Sequence, residues 1–286
     1  MPNNLPVLPR LMVDDAVKAA LLEDWGRAGD ITSQATIPAT ATANAVIAAR
    51  KPGVLAGIAL AESAFRQTDG DLSVDVVKQD GDRLEPGDVV ARIEGPARAL
   101  LSAERVALNF LGHLSGIASA TALFADQIAH TKASIVCTRK TTPGLRAFEK
   151  YAVKCGGGSN HRFGLDDAIL IKDNHIAVAG GVVEAVEAAK AYAGHLVKIE
   201  VEVDTLDQLK QALGAGPDVV MLDNMAPDML RDAVAIAGGK ALLEASGGIE
   251  LDTVKAVAEA GVDLISSGWI THSAPVLDLG LDIEIS

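Results

Sequence analysis

LVKIEVEVDTLDQLKQALGAGPDVVMLDN, residues 196–224, holds an apolar run at 196–203, a segment of helical periodicity at 205–213 and a second apolar run at 219–222. Short apolar runs separated by helices of 10 to 15 residues are the mark of βαβ units and a parallel sheet, because parallel strands need a long crossover between them. Outward from this stretch the rhythm continues. Further apolar runs stand at 135–137, 168–171, 241–243 and 262–265, with helical segments at 181–193, 227–237 and 251–260. Six runs fall short of a closed eight-stranded barrel of about 250 residues. An open, incomplete α/β barrel fits the count, and a doubly wound sheet also permits the pattern.

The first hundred residues have another texture. A helix capped by Asp14 carries Val17, Ala20, Leu21 and Trp25, and residues 26–30 end it. Strands are expected at 41–49, 74–79 and 88–93, and a helix at 59–65, which together make an α+β module. Residues 97–129 read as a long helical stretch broken near Gly112 and Gly116, with Leu100, Leu101, Val106, Leu108 and Leu111 as core.

The chain has 286 residues, is 49% hydrophobic and carries a formal net charge of −13, so it can bury a sizeable core. The acidic balance excludes nucleic acid or an anionic membrane as general partners, since both demand a broad basic face. No secretory leader and no apolar run of membrane-spanning length are read from the sequence. Cys137 and Cys155 are too few for a disulfide framework, and a soluble, cytoplasmic protein with reduced thiols is expected.

Residues 138–175 invert the charge. They hold seven of the 25 Lys and Arg residues against three acids before Asp173. With a Debye length of about 8 Å, distant acids do not cancel such a cluster, which implies a small polyanion as ligand. Arg139, Arg162, Lys172 and His161 are the anion candidates. Arg146, Lys150 and Lys154 recur at four-residue spacing and read as a solvated helix face beside Glu149. The GGGS at 156–159 reads as a flexible loop.

Polar residues cluster where the apolar runs end: Thr138, Arg139 and Lys140; Lys172; Glu202; Asp223; Glu244 with Ser246, Gly247 and Gly248; Ser267 and Gly268. Ligands of parallel α/β folds bind at such strand ends. Each glycine pair alone is an ordinary turn, but pairs after two successive strands favour a phosphate. Carboxylates at Glu202 and Asp223 could hold ribose hydroxyls, ligate Mg²⁺ or stabilise a cationic transition state. Glu200 and Asp204 share parity with Glu202, and periodicity leaves open which of the three faces the site.

TRKTTPGLRAFEKYAVKCGGGSNHRFGL, followed by IKDNH, EVEVD, LDN, EASGGI and THS, resembles the quinolinate phosphoribosyltransferases, and the likeness runs from GDIT at Gly29 to the LDLGLDIEIS terminus. The resemblance implies an N-terminal α+β sandwich domain at 1–116 and an α/β barrel at 117–274, with a tail at 275–286 packing back on the first domain. It also implies a homodimer with sites at the subunit boundary. Quinolinate, 5-phosphoribosyl 1-pyrophosphate and Mg²⁺ would be used, giving nicotinate mononucleotide, pyrophosphate and carbon dioxide.

By that pattern Thr138, Arg139, His161, Arg162 and Lys172, with Arg105 from the partner subunit, bind quinolinate, and Lys140 serves the pyrophosphate. Glu202 and Asp223 face the ribose and hydrated Mg²⁺. Ser246, Gly247, Gly248, Ser267, Gly268 and Trp269 hold the 5-phosphate. Trp269 departs from the family, which usually has a small residue there, and this alters the packing expected of the phosphate loop. A paralogue acting on another base would need fewer of these cations, and a non-catalytic anion binder would need neither carboxylate.

Overall fold

The computed structural model describes residues 5–284, in two compact units. One unit comprises the chain up to Ala120, Phe148–Gly157 and the chain from Ala274 onward; the other comprises Thr121–Ala147 and Gly158–Ser273.

The first unit opens with α1 (Arg10–Trp25) and α2 (Ile31–Thr36), followed by β1 (Thr42–Ala49), β2 (Gly53–Val54), α3 (Ile58–Thr68), β3 (Ser73–Val76), β4 (Arg83–Leu84) and β5 (Val89–Pro96). Helix α4 (Ala97–Ile128) comes next. Helix α1 begins at Arg10 with Pro9 before it, so Asp14 is not its cap. The Asp14 carboxylate accepts from the Ser63 hydroxyl at 2.6 Å and from Arg66 at 3.0 Å, tying α1 to α3. Asp30 is the residue that caps, accepting from the Ser33 N–H at 2.9 Å and starting a helix that periodicity did not indicate.

Helix α4 runs unbroken through Gly112 and Gly116. By length and composition it could cross a membrane, contrary to the sequence reading, yet most of its apolar window is buried in the protein. The two glycines serve close approach. A Cβ on Gly112 would stand 2.8 Å from Val276 Cγ1, and one on Gly116 only 2.2 Å from the Pro275 carbonyl oxygen. The Leu277 N–H also donates to the Gly112 carbonyl at 3.0 Å. The terminal segment then enters the sheet as β12 (Leu279–Glu284), antiparallel to β1, in the order β12-β1-β5-β3. Because backbone and not a mobile side chain blocks the space, Gly116→Ala is expected to lower stability by about 1–3 kcal/mol, read by urea denaturation.

Helix α5 (Arg146–Cys155) lies mostly in this unit, and its charged residues are not a solvated face. Glu149 is fully buried and Lys150 is 2% exposed. Glu149 meets His113 Nε2 at 2.8 Å, and the Tyr151 hydroxyl donates to Asp80 at 2.7 Å, so the helix uses its polar groups inward.

The second unit contains β6 (Ser134–Val136), β7 (Ile169–Ile171), α6 (Asp173–Ala179), α7 (Val182–Tyr192), β8 (Ile199–Val203), α8 (Leu206–Ala215), β9 (Val219–Asp223), α9 (Pro227–Ala237), β10 (Leu242–Ser246), α10 (Val254–Glu259), β11 (Leu264–Ser266) and α11 (Trp269–His272). Its six strands pair in parallel in the order β6-β11-β10-β9-β8-β7. Sheet ends at β6 and β7 do not pair, so the sheet is an open α/β barrel and not a closed one. The GGGS segment is held against β6: Ser159 N–H donates to the Ile135 carbonyl at 2.8 Å, and Cys137 N–H to the Ser159 carbonyl at 3.2 Å. Helices begin and end where local chemistry directs. Thr205 caps α8 by accepting from Gln208 N–H, Pro227 opens α9, and Gly216 and Gly238 close α8 and α9 with positive φ. Since every strand runs the same way, all six strand ends present their following residues along one edge.

Candidate active site

That edge carries a cavity of about 730 Å³. Its lining includes Thr138, Arg139, Lys140, His161, Arg162, Lys172, Glu202, Asp223, Ser246, Gly247, Gly248, Ser267, Gly268 and Trp269, which is every expected site residue of this unit. Arg105 lies in the other unit, exposed on α4. The volume suits a ligand of a few hundred daltons.

The cationic side is built on the ends of β6 and β7 and the segment between them. Burial and then the nearby Arg139 guanidinium lower the Arg162 pKa from its ordinary value. Two guanidiniums held this close repel until an anion arrives, which is the electrostatic form of an anion site. Arg162 Nη1 donates to the Ala168 carbonyl at 3.2 Å, while its buried Nε has no hydrogen-bond partner. Lys172 follows β7 and its ammonium meets Glu202 at 2.6 Å. The following KDNH run starts a helix that the sequence reading did not assign: Lys172 N–H donates to His175 Nδ1 at 2.9 Å, opening α6.

His161 lines the cavity, and both of its ring nitrogens are engaged by protein groups. Its Nδ1 accepts from the Arg162 N–H at 2.8 Å, and its Nε2 faces Glu200 at 2.8 Å. This fixes the Nε2–H tautomer. A bound carboxylate would have to displace one of those partners.

Glu202 and Asp223 stand at the ends of adjacent strands β8 and β9. Alternation holds for Glu200 and Glu202, whereas Asp204 lies past the strand and is exposed. One oxygen of Glu202 is engaged by Lys172 and one of Asp223 by the Asn224 amide at 2.6 Å. The second oxygen of each is a hard donor, and such a pair suits a hydrated Mg²⁺, which keeps most of its waters. Ser246 ends β10 with Gly247 and Gly248 after it, and Ser267 and Gly268 follow β11. Gly268 is required by packing, since a Cβ there would lie 2.8 Å from Lys140 Cδ. Trp269, 40% exposed, opens α11 and tilts against Phe124 with ring centroids 6.0 Å apart.

The quinolinate phosphoribosyl transferase N-terminal domain matches residues 30–115 and its C-terminal domain residues 117–282. The chain belongs to the quinolinate phosphoribosyl transferase family. It is 47% identical over 265 residues, covering 93% of this chain and 91% of the relative, to a "Probable nicotinate-nucleotide pyrophosphorylase [carboxylating]" of Bacillus subtilis. It is 41% identical to the chloroplastic nicotinate-nucleotide pyrophosphorylase of Arabidopsis thaliana, covering 98% of this chain and 85% of that one. A solved nicotinate-nucleotide pyrophosphorylase from Francisella tularensis superposes with a TM-score of 0.94 at 40% identity, covering 97% and 98% of the two chains.

Two residues of this quinolinate phosphoribosyl transferase site were noticed in the sequence but given no role there. Glu200 and Glu244 are both buried, Glu244 in the lining of the cavity with its Oε2 3.8 Å from His161 Nε2. With His161 they form a cluster whose metal-capable atoms lie within 4.8 Å of one another. Glu244 stood in the strand-end set and Glu200 in the parity set; the register sets Glu244 opposite Met221, level with Glu202, and Glu200 opposite Val219, and both carboxylates face the His161 ring. Burial first, then the Glu200 carboxylate, pushes the Glu244 pKa up to about 7, while His161 opposes.

Below about pH 4.5 Glu244 is protonated folded or unfolded; as pH rises to about 7 the unfolded chain ionises and the folded one does not, so stability falls across that window. Glu244→Gln removes this loss. Its stability advantage over the parent is expected to grow between those pH values to the order of 3 kcal/mol, measured by denaturant titration at several pH values. An advantage independent of pH would sink the assignment.

Proposed function

We propose that this protein transfers the phosphoribosyl group of 5-phosphoribosyl 1-pyrophosphate to quinolinate with loss of carbon dioxide, giving nicotinate mononucleotide for NAD synthesis. One observation carries the reading: a single cavity is lined by the cations Arg139, Arg162 and Lys172, by the carboxylates Glu202 and Asp223 and by two glycine loops. A simple anion binder would have no use for the carboxylates. The family membership and the printed names of the relatives support the same activity.

The residues divide the work by charge. Arg139, Arg162 and Lys172 grip the two pyridine carboxylates, with Thr138 beside them and His161 bracing the Arg162 backbone. Residues 246–248, Ser267, Gly268 and Trp269 enclose the sugar phosphate. As the bond from the anomeric carbon to pyrophosphate oxygen breaks, positive charge grows on the ribose, where Glu202 and Asp223 stabilise it. Lys140 neutralises the departing pyrophosphate. Mg²⁺, held through water by Glu202 and Asp223, would supply further neutralisation of that leaving group. The ring nitrogen forms the new bond to the anomeric carbon and becomes cationic. The carboxylate on the adjacent carbon then leaves as carbon dioxide, its electron pair passing to that carbon, which takes a proton.

The protein acts as a homodimer in the cytoplasm, with Arg105 reaching the quinolinate of its partner; its exposure on α4 leaves the guanidinium available for that role. Mixing quinolinate, 5-phosphoribosyl 1-pyrophosphate and Mg²⁺ should yield nicotinate mononucleotide and carbon dioxide in equal amounts. Turnover of a monocarboxylic pyridine in preference to quinolinate, or binding without turnover, would overturn the proposal.

A further inference from the structure

Asn224 is the only non-glycine among the described residues with a positive φ, at 54°. Three contacts explain why this residue occupies that conformation. Its backbone N–H donates to the Ser246 carbonyl at 2.9 Å, fastening the end of β9 to the end of β10. Its side-chain amide nitrogen donates to Asp223 Oδ2 at 2.6 Å. Its side-chain oxygen occupies the space into which Gly247 would project a Cβ, 2.2 Å away.

We infer that Asn224 is a positioning residue that locks the Asp223 carboxylate and the loop at 246–248 into one unit, setting the grip on the phosphoribosyl substrate. The inference rests on the proposed activity for the roles of those groups. Few residue types meet the local demands together. A left-handed backbone is readily adopted by glycine, asparagine and aspartate. Of these, only asparagine donates a hydrogen bond from its side chain; glycine has nothing to offer Asp223, and aspartate would set a second carboxylate against the first. With Oδ2 committed to the amide, Asp223 has its other oxygen left for the cavity. Gly247, itself at φ 94°, has to lack a side chain because the amide fills its place.

The test compares Asn224→Gly and Asn224→Asp with the parent by calorimetric titration. Each is titrated with 5-phosphoribosyl 1-pyrophosphate in the presence of Mg²⁺ and phthalate, a diacid without the reacting ring nitrogen, and separately with quinolinate. Both variants are expected to bind the phosphoribosyl substrate about tenfold more weakly or worse, the loss of one good hydrogen bond to a charged group. Asn224→Asp should be the weaker of the two. Quinolinate affinity should stay within about twofold and Asn224→Gly should melt no lower than the parent, because the strained φ suits glycine. Phosphoribosyl affinity within twofold of the parent in both variants overturns the inference. So does a parallel loss of both affinities with a lower melting temperature, which marks a general structural role. A parent that binds the phosphoribosyl substrate but does not turn over quinolinate would refute the activity while the titrations still decide the role of Asn224. A parent that binds neither refutes both.

Discussion

Lys140→Ala is expected to lower kcat by about 10²–10³-fold, the usual cost of removing one preorganised group that stabilises developing charge, while the quinolinate KM stays within about threefold of the parent. The size follows from how the side chain is delivered. The Lys140 N–H donates to Thr138 Oγ1 at 3.0 Å, and its carbonyl accepts from the Thr271 hydroxyl at 2.7 Å, so the backbone is fixed from both sides. Its aliphatic stem then passes over Gly268, which has no side chain to deflect it. Among the described residues no carboxylate pairs with this ammonium, whereas Lys172 is paired with Glu202. An unpaired cation beside the glycine loops has its charge available for pyrophosphate as the leaving group gains negative charge. Steady-state kinetics on both substrates check it: an unchanged kcat would remove Lys140 from the leaving-group side, and an effect confined to the quinolinate KM would move it among the diacid binders.

The sequence reading succeeded where periodicity and strand ends decide the outcome. Parallel strands buried on both faces read as short apolar runs, so β6 to β11 were found from runs such as VVMLD, and their shared direction placed Lys140, Lys172, Glu202 and Asp223 along one edge. It failed where a residue answers to something distant in the chain. Gly112 and Gly116 look like breaks in a helix, but their glycine is demanded by residues 275–277, more than 150 positions away, and no local pattern carries that information. Glu149 and Lys150 look like solvent charges by their spacing, and become buried because His113 on α4 meets Glu149. Glu200 was visible as a carboxylate of the right parity. That it turns to His161 is a contact between groups 39 positions apart, which strand parity does not carry. Asp30 is the exception among the misses, since an aspartate three residues ahead of Ser33 is a helix-start signal that was there to be used.

The contact between Glu200 and His161 also explains why Arg162 should matter more for quinolinate than its count of direct contacts suggests. Glu200 holds Nε2 of His161, and Nδ1 of that ring holds the Arg162 N–H, so the backbone at 162 is set by a chain of bonds reaching back to β8. On this fixed base the guanidinium spends only Nη1 on the protein, at 3.2 Å from the Ala168 carbonyl, and its Nε is buried with no partner. A buried donor left unsatisfied costs stability unless a ligand completes it. A planar carboxylate is the natural complement, because the fork of a guanidinium meets it with two parallel bonds. Charge-assisted bonds of about 1.5–3 kcal/mol each, two of them lost together, set the expectation for Arg162→Ala: a rise in quinolinate KM of about 10²-fold or more, with kcat at saturation reduced far less. Arg162→Lys should recover little, since a single ammonium restores the charge but not the paired geometry, and this separates a requirement for the fork from one for positive charge alone. If the lysine variant returned to the parent KM, Arg162 would act only as one more charge beside Arg139, and the diacid would be held by net potential instead of by shape. If instead kcat collapsed in Arg162→Ala at an unchanged quinolinate KM, the guanidinium would be engaged with the transition state, and the proposed partition of the cavity into a diacid end and a leaving-group end would have to be redrawn.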